Sequence, residues 1–371
     1  MDQSIEVRML SALEIFHYSY RFQNKLFILA LSEEVELEEI VTDLRILHNA
    51  HIKTLVICAN DQKLSETLQT WNVRGCPFEF VDNVFSDCLS QNQFQTVETM
   101  LTSDTIPVLS IDKSKKTDSF QLLLDRFTMD LASRLTVEKV FFLSDTDGLI
   151  VDEGFISHTT PDESTQYIST SQTINIGQVR LKYLIDQNRL YGVDVILLEG
   201  KSGSLFQEIF THRGRGSLIT SDYPNIIRKG KTSDVMDISL LMKPYVQTGA
   251  ILPVDENQLA REIENYSVYT VNNSIVAAAK FTDYGNVAEL AKFCTLPRYQ
   301  GKGRAKELAE KLIENAKEMQ KEYLFALSIE PRMFNFFKNL GFEESDRESL
   351  PKKWKQNYDL SRPSKAFCYQ M

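Results

Sequence analysis

The stretch Glu289-Leu-Ala-Lys292-Phe293-Cys294-Thr-Leu296-Pro-Arg-Tyr-Gln300-Gly301-Lys302-Gly303-Arg304-Ala305-Lys306-Glu-Leu308 carries the decisive reading. It reads as a strand that ends at Leu296, followed by a loop that turns on Pro297. Small residues at Gly301, Gly303 and Ala305 then open a helix. Its apolar stripe of Ala305, Leu308, Ala309, Leu312, Ile313 and Ala316 sets the register. The first-turn N–H groups of such a helix have no partner within it, and the helix dipole favours negative charge there. Side chains no larger than a methyl let a diphosphate approach those amides, and Lys302 and Arg304 add positive charge. The pattern predicts a diphosphate-binding helix mouth. Its plainer alternative is a glycine-rich helix entry with no ligand.

Glu289 stands on the strand beside this mouth. A carboxylate there can take a proton from a substrate ammonium, directly or through water, provided partial burial raises its pKa. A solvent-facing strand Glu is the alternative. Backbone N–H groups around Phe293 and Cys294 are candidates to hold a carbonyl oxygen as charge develops on it. Lys292 falls on the opposite face from Glu289 in a regular strand, so both face one site only if a bulge intervenes.

Outward from this stretch, the second part of the chain reads as a strand at 225–228, helices at 235–245 and 255–265, and strands at 267–271 and 275–282. Asn272–Asn273 is a good tight-turn pair between those strands, and Asp255 is an acidic cap candidate. After the long helix at 303–320 come a strand at 323–328 and a short helix at 332–339. The first part alternates differently. Strand candidates at 25–31, 54–58, 107–111, 140–144, 194–198 and 214–220 are separated by helical patterns such as 37–48, 122–135 and 178–187. Strands separated by helices imply a mainly parallel sheet covered on both faces. The expected fold is therefore α/β in two domains, 1–221 and 222–371.

A net charge of −10 without a dense Lys/Arg stripe argues against a nucleic-acid partner. The five cysteines, Cys58, Cys76, Cys88, Cys294 and Cys368, are scattered and form no metal-ligand spacing. Reduced thiols in a cytoplasmic protein are expected, with no metal site. Neither a signal peptide nor an apolar run long enough to span a membrane is visible.

Gln300-x-x-Gly303-x-Ala305, set between a strand and a helix, resembles the acetyl-CoA signature of the GNAT N-acetyltransferase superfamily. The order of the flanking elements, down to Phe336-Phe-Lys-Asn-Leu-Gly341-Phe, is similar as well. Over nearly its full length the chain resembles the bacterial N-acetylglutamate synthase family, in which an amino-acid-kinase-like domain precedes a GNAT domain. The passages that carry this are Phe142-Leu-Ser-Asp145-Thr-Asp-Gly148-Leu, Leu197-Leu-Glu-Gly-Lys201-Ser-Gly-Ser-Leu205 through Thr211 with Arg213-Gly-Arg-Gly216, Leu350-Pro-Lys-Lys-Trp354 through Tyr358, and Arg362-Pro-Ser364-Lys365. The resemblance implies acetyl-CoA as cosubstrate, L-glutamate as acceptor and N-acetyl-L-glutamate, an intermediate of arginine synthesis, as product. Glu289 matches the family's general base, and Lys292, Arg362 and Ser364 match positions that hold glutamate, with Arg332 an added candidate. Phe293, Cys294, Leu296, Gln300, Gly301, Lys302, Gly303, Arg304 and Ala305 are the expected cofactor contacts.

The departures are specific. Where bacterial relatives carry an Arg pair, this chain has Pro253 and Val254. A Tyr acid common in GNAT enzymes is replaced by Phe337, and the family's Ser by Met333, leaving Ser328 as the nearest polar candidate for a general acid. In the first domain, Ala30-Leu-Ser-Glu-Glu34 and Cys58-Ala-Asn-Asp61 stand where a working kinase has glycine-rich phosphate loops. Acidic side chains there repel phosphate, so no kinase activity is expected. The resemblance instead implies a scaffold for a homo-oligomer and a site for L-arginine as effector, near Lys201–Gly216 and the N-terminal helix. Two alternatives stay open: a CoA-binding regulatory protein that does not turn over, and a transferase acting on another amino acid or amine.

Overall fold

Leu26–Leu31 (β1) is buried at every residue, as a strand covered on both faces must be. Around it the computed structural model builds Leu37–Asn49 (α1), Lys53–Ala59 (β2), Phe78–Val84 (β3), Gln91–Thr102 (α2), Ile106–Ile111 (β4), Phe120–Arg134 (α3) and Val137–Ser144 (β5). A hairpin of Leu149–Val151 (β6) and Gly154–Ile156 (β7) follows. Then come His158–Thr159 (β8), Pro161–Thr170 (α4), Gln178–Tyr191 (α5), Asp194–Glu199 (β9), Ser204–Phe210 (α6) and Ser217–Ile219 (β10). The structure describes residues 12, 15–59, 78–84, 88–103, 105–111, 120–211, 214–221, 226–271, 274–301 and 303–371.

The chain divides into two units, Met1–Ser221 and Asp222–Met371. In the first, the sheet order is β3-β4-β2-β1-β5-β9-β10-β8, parallel except where β10 runs against β9. β3, at the sheet edge, is absent from the sequence reading. Its Glu79, Asp82 and Asn83 interrupt the apolar run, which an edge strand tolerates. The segment expected as a strand over 214–220 pairs only over Ser217–Ile219. At the C-terminal end of β1 the chain continues into buried Ser32 and exposed Glu33 and Glu34. Asn60 and Asp61 of the second expected phosphate loop lie outside the described residues.

The second unit contains Ile226–Lys229 (β11), Val235–Gln247 (α7), Glu256–Arg261 (α8), Tyr266–Val271 (β12), Ser274–Asp283 (β13), Val287–Thr295 (β14) and Arg304–Glu318 (α9). Tyr323–Ser328 (β15), Pro331–Asn339 (α10), Glu343–Ser345 (β16), Lys352–Lys355 (α11) and Lys365–Gln370 (β17) complete it. Its mixed sheet has the order β11-β12-β13-β14-β15-β17-β16. The Asp255 carboxylate accepts from Gln258 N at 2.9 Å and starts α8. The single helix expected over 255–265 is interrupted, however. Glu262 leaves helical geometry, ion-pairs with Lys280 at 2.8 Å, and a 3-10 turn at Ile263–Asn265 delivers the chain into β12. Asn272 and Asn273 lie outside the described residues. Among the described residues, no helix is long and apolar enough to cross a membrane.

Candidate active site

The site begins with a parting of strands. β14 and β15 pair in parallel only at Val287, Ala288 and Glu289, opposite Tyr323, Leu324 and Phe325. Both strands continue, but beyond Glu289 they diverge and leave a cleft.

The register of β14 against β13 shows why. Lys280 pairs with Ala291 while Ala278 pairs with Cys294, so β14 carries one extra residue, and Lys292 takes φ of 53°. This bulge turns the strand and brings Lys292 onto the face of Glu289. Both line a pocket of about 520 Å³, with Leu252, Tyr284, Lys353, Trp354, Tyr358 and Arg362 among its walls.

Glu289 is half-buried at the base of this pocket. Trp354 Nε1 donates to its Oε1 at 3.2 Å, and the Tyr284 hydroxyl to Oε2 at 3.4 Å. Burial pushes its carboxyl above the usual carboxylate range, while the Trp354 bond, Lys280, Tyr284 and Lys292 hold it back. Trp354 is itself buried and stacked on Tyr358 at 4.5 Å between ring centroids. Lys292 Nζ donates to the Leu252 carbonyl at 3.0 Å, and burial, then the neighbouring Lys280, push its pKa down to about 8. Arg362 reaches the same loop, donating to the carbonyls of Gly249 at 2.5 Å and Ala250 at 3.0 Å. Val254, at one of the positions lacking the expected Arg pair, packs against the core beside Ile251 and Leu259.

Other lining charges are spent on one another or on neighbours. Glu262 pairs with Lys280 at 2.8 Å, and Asp283 with Lys321 at 2.7 Å. The balance left facing the pocket is cationic, from Lys292, Lys353 and Arg362, around the single carboxylate of Glu289.

A narrower chamber adjoins the pocket through Ala250, Ile251, Ala291, Lys292, Leu327 and Ser328, and reaches Tyr245, Phe293, Arg332 and Met333. Here the backbone alternates. Leu296 N–H bonds to Val276 O at 2.8 Å across β13, and Cys294, two residues earlier, faces the same way. Thr295 and Phe293 therefore turn their N–H and C=O groups away from β13, into the cleft. Of the two amides expected to hold a carbonyl oxygen, Phe293 alone is so directed; that of Cys294 is committed to the sheet. The Cys294 thiol is buried against Ala278 O at 3.6 Å and pushed up to about 12.

The structure relocates several expected contacts. Leu296 uses its N–H in the sheet and its carbonyl to accept from Tyr299, so neither is offered to a ligand. The Arg304 guanidinium is not presented at the helix mouth. It is buried, 3.0 Å from the Tyr269 hydroxyl and 3.6 Å from Glu307, because α9 packs that side of its first turn on β12. Ser364 does not line the pocket. It is buried and accepts from the Tyr358 hydroxyl at 3.0 Å, so it braces a wall residue. Arg332 lines the narrower chamber rather than the pocket holding Glu289; Glu330 holds it at 2.5 Å. Lys302 lies outside the described residues. Sequence reasoning missed Trp354, Tyr284 and Tyr245 as site residues. Trp354 stood in the Leu350–Tyr358 passage, read there only for its resemblance to the family, and Tyr284 and Tyr245 stand in no motif.

The helix mouth has room for a ligand. Gly301 and Gly303 take φ of 76° and 78°, and a Cβ on Gly301 would meet nothing within 4 Å, on Gly303 only Glu307 at 3.8 Å. Among the described residues, the space beside these two glycines at the entry to α9 is therefore open, as an approaching diphosphate requires. Residues 234–342 match the family model for the GNAT acetyltransferases. They are a GNAT acetyltransferase domain.

Similarity extends beyond the GNAT domain. The chain is 26% identical over 294 residues to the amino-acid acetyltransferase of Pasteurella multocida, covering 77% of this chain and 66% of that one. It is 27% identical over 300 residues to the amino-acid acetyltransferase of Mannheimia succiniciproducens, with the same 77% and 66%. The matched region thus spans just under two thirds of these relatives. The crystal structure of N-acetylglutamate synthase from Neisseria gonorrhoeae, complexed with coenzyme A and L-arginine, superposes with a TM-score of 0.60 at 18% identity. That match covers 96% of this chain and 98% of the other, so the two share a fold with an α/β unit ahead of the GNAT domain.

Proposed function

We propose that this protein transfers the acetyl group of acetyl-CoA to the amine of L-glutamate, giving N-acetyl-L-glutamate and CoA. One observation carries the reading: of the carboxylates lining the pocket, Glu262 is paired with Lys280 and Asp283 with Lys321, which leaves the partly buried Glu289 facing Lys292, Lys353 and Arg362. Glutamate at neutral pH carries two carboxylates and one ammonium. Its carboxylates match the cations, and its ammonium matches Glu289.

When bound, acetyl-CoA supplies an activated thioester; the chain supplies position and proton transfer. The first-turn amides of α9 hold the diphosphate. Phe293 N–H, turned into the cleft, is the donor available to the thioester carbonyl oxygen. Glu289, with its raised pKa, accepts the proton that the ammonium must lose before its nitrogen can attack. Transfer is direct, because the Cys294 thiol is buried on the β13 side and held protonated. Arg362 and Lys292, both bonded to the Gly249–Leu252 loop, take over the carboxylate contacts that an Arg pair at 253–254 would make.

In the first unit we assign no phosphoryl transfer. Instead, the Glu199 carboxylate, paired with both Lys201 and Arg215, is the anchor we propose for an L-arginine effector. Calorimetry of L-arginine into residues 1–221 tests that assignment, and no heat would remove it. The central test is release of CoA thiol from acetyl-CoA. It should depend on L-glutamate and be far weaker with acceptors that lack the side-chain carboxylate. Thiol release that ignores the acceptor's carboxylates would overturn the glutamate assignment.

A further inference from the structure

Where β14 and β15 part, β14 becomes a sheet edge inside the molecule. Its inward-facing N–H and C=O groups need partners, because unpaired buried backbone groups are costly. At Thr295 one side chain meets both needs. The Tyr245 hydroxyl donates to Thr295 O at 2.7 Å and accepts from Thr295 N at 2.9 Å. It thus stands in for the edge of a neighbouring strand. Gln300, the first residue of the Gln-x-x-Gly-x-Ala motif, donates to that hydroxyl at 3.0 Å and to Thr295 O at 3.3 Å. The Arg332 guanidinium lies 5.9 Å from the centroid of the Tyr245 ring, which lines the narrow chamber.

An extended chain bearing amides would bond to a strand edge through the same two groups of Thr295. The arm of coenzyme A, which joins the diphosphate to the sulfur through two amides, is such a chain. We propose that Tyr245 is a latch on the cofactor cleft: its hydroxyl occupies the Thr295 N–H and C=O until an amide of the arm displaces it. The inference rests on the acetyl-CoA reading above and adds a positioning residue to it. Gln300 then links the two ends of the cofactor site. Its side chain holds the latch, and its backbone leads directly into the loop before α9. Burial holds the phenol above its ordinary pKa, so the latch keeps its proton throughout the neutral range.

Tyr245→Phe in the full chain tests this. Without the hydroxyl, the ligand-free protein leaves the Thr295 N–H unsatisfied, with its carbonyl held only by Gln300 at 3.3 Å, and the arm no longer competes. Coenzyme A is expected to bind about three- to tenfold tighter, with a faster association rate, on the scale of one net hydrogen bond. Binding of adenosine 3′-phosphate 5′-diphosphate, the same nucleotide without the arm, is expected to stay at the wild-type value. The melting temperature of the ligand-free variant is expected to fall, and saturating coenzyme A to close the gap. Tyr245→Leu, which also removes the hydroxyl, gives a second reading should the Phe variant fold poorly. Weaker or unchanged binding of coenzyme A overturns the latch, as does an equal gain for both ligands. No binding of either ligand to the wild-type chain overturns the acetyl-CoA reading itself, and the latch with it.

Discussion

Trp354 Nε1 lies 3.2 Å from Glu289 Oε1, a bond between residues 65 positions apart in the chain. The indole is the floor on which the proposed base rests. It stacks on Tyr358 and meets Phe325 edge-on at 5.9 Å, so its donor has little freedom to turn away. A hydrogen bond to the ionised form of an acid lowers that acid's pKa. Burial raises the pKa of Glu289, and Trp354 is the largest influence opposing that rise.

Trp354→Phe keeps an aromatic ring in the stack but removes the donor. Losing that charge-assisted bond removes the main influence holding the Glu289 pKa down, so the pKa should rise further. The acid limb of kcat/KM for glutamate should move to higher pH with it, and activity should recover as the pH is raised. A uniform loss of rate with the limb unmoved would mean that the indole acts only through packing.

Glu289→Gln separates function from stability. Removing the base should lower kcat/KM by about 10²–10⁴-fold. The same change removes a charge whose burial is unfavourable, so the melting temperature should stay level or rise. Calorimetry alongside the thiol-release assay checks both, and a marked loss of stability with activity kept would exclude Glu289 as the base.

Lys292 sets the alkaline side. Its pKa is lowered to about 8, so it is charged below that pH and loses its charge as pH rises through it. If it holds a substrate carboxylate, KM for glutamate should increase above pH of about 8. Lys292→Met should raise KM about ten- to hundredfold at pH 7 and abolish that alkaline rise. A Met variant with a wild-type KM would place the carboxylate elsewhere.

Gly303→Ala probes the helix mouth. Gly303 has φ of 78°, and an L side chain in that region costs roughly 1–2 kcal/mol. The new Cβ would also project into the open space before α9. Coenzyme A should bind about tenfold or more weakly, while KM for glutamate at saturating acetyl-CoA changes little. Isothermal titration gives the first value and steady-state kinetics the second.

Much of the architecture was readable because local chemistry produces it. The apolar runs of β1, β2, β4, β5 and β9, spaced by helical patterns, specify a parallel sheet covered on both faces. The strand, loop and helix around Gln300–Ala305 follow from a proline, two glycines and a 3.6-residue stripe. β3 was hidden because its sequence carries the polar residues of an edge. The interruption after α8 was hidden because Glu262 leaves the helix for Lys280, a partner on another strand.

The sequence by itself determined that a helix opens after two glycines, that Glu289 precedes it on a strand, and that positive side chains lie near. These are properties of neighbouring residues, set by backbone sterics and periodicity. Only the tertiary structure decided which of those side chains meet. One added residue at Lys292 swings it onto the face of Glu289, the parting of β14 from β15 opens a cleft, and Trp354 and Tyr245 arrive from distant segments to bond what that parting exposes. Folding decides them because a bulge shifts every later side chain, and because an exposed strand edge or a buried carboxylate must find a partner wherever the packed chain brings one.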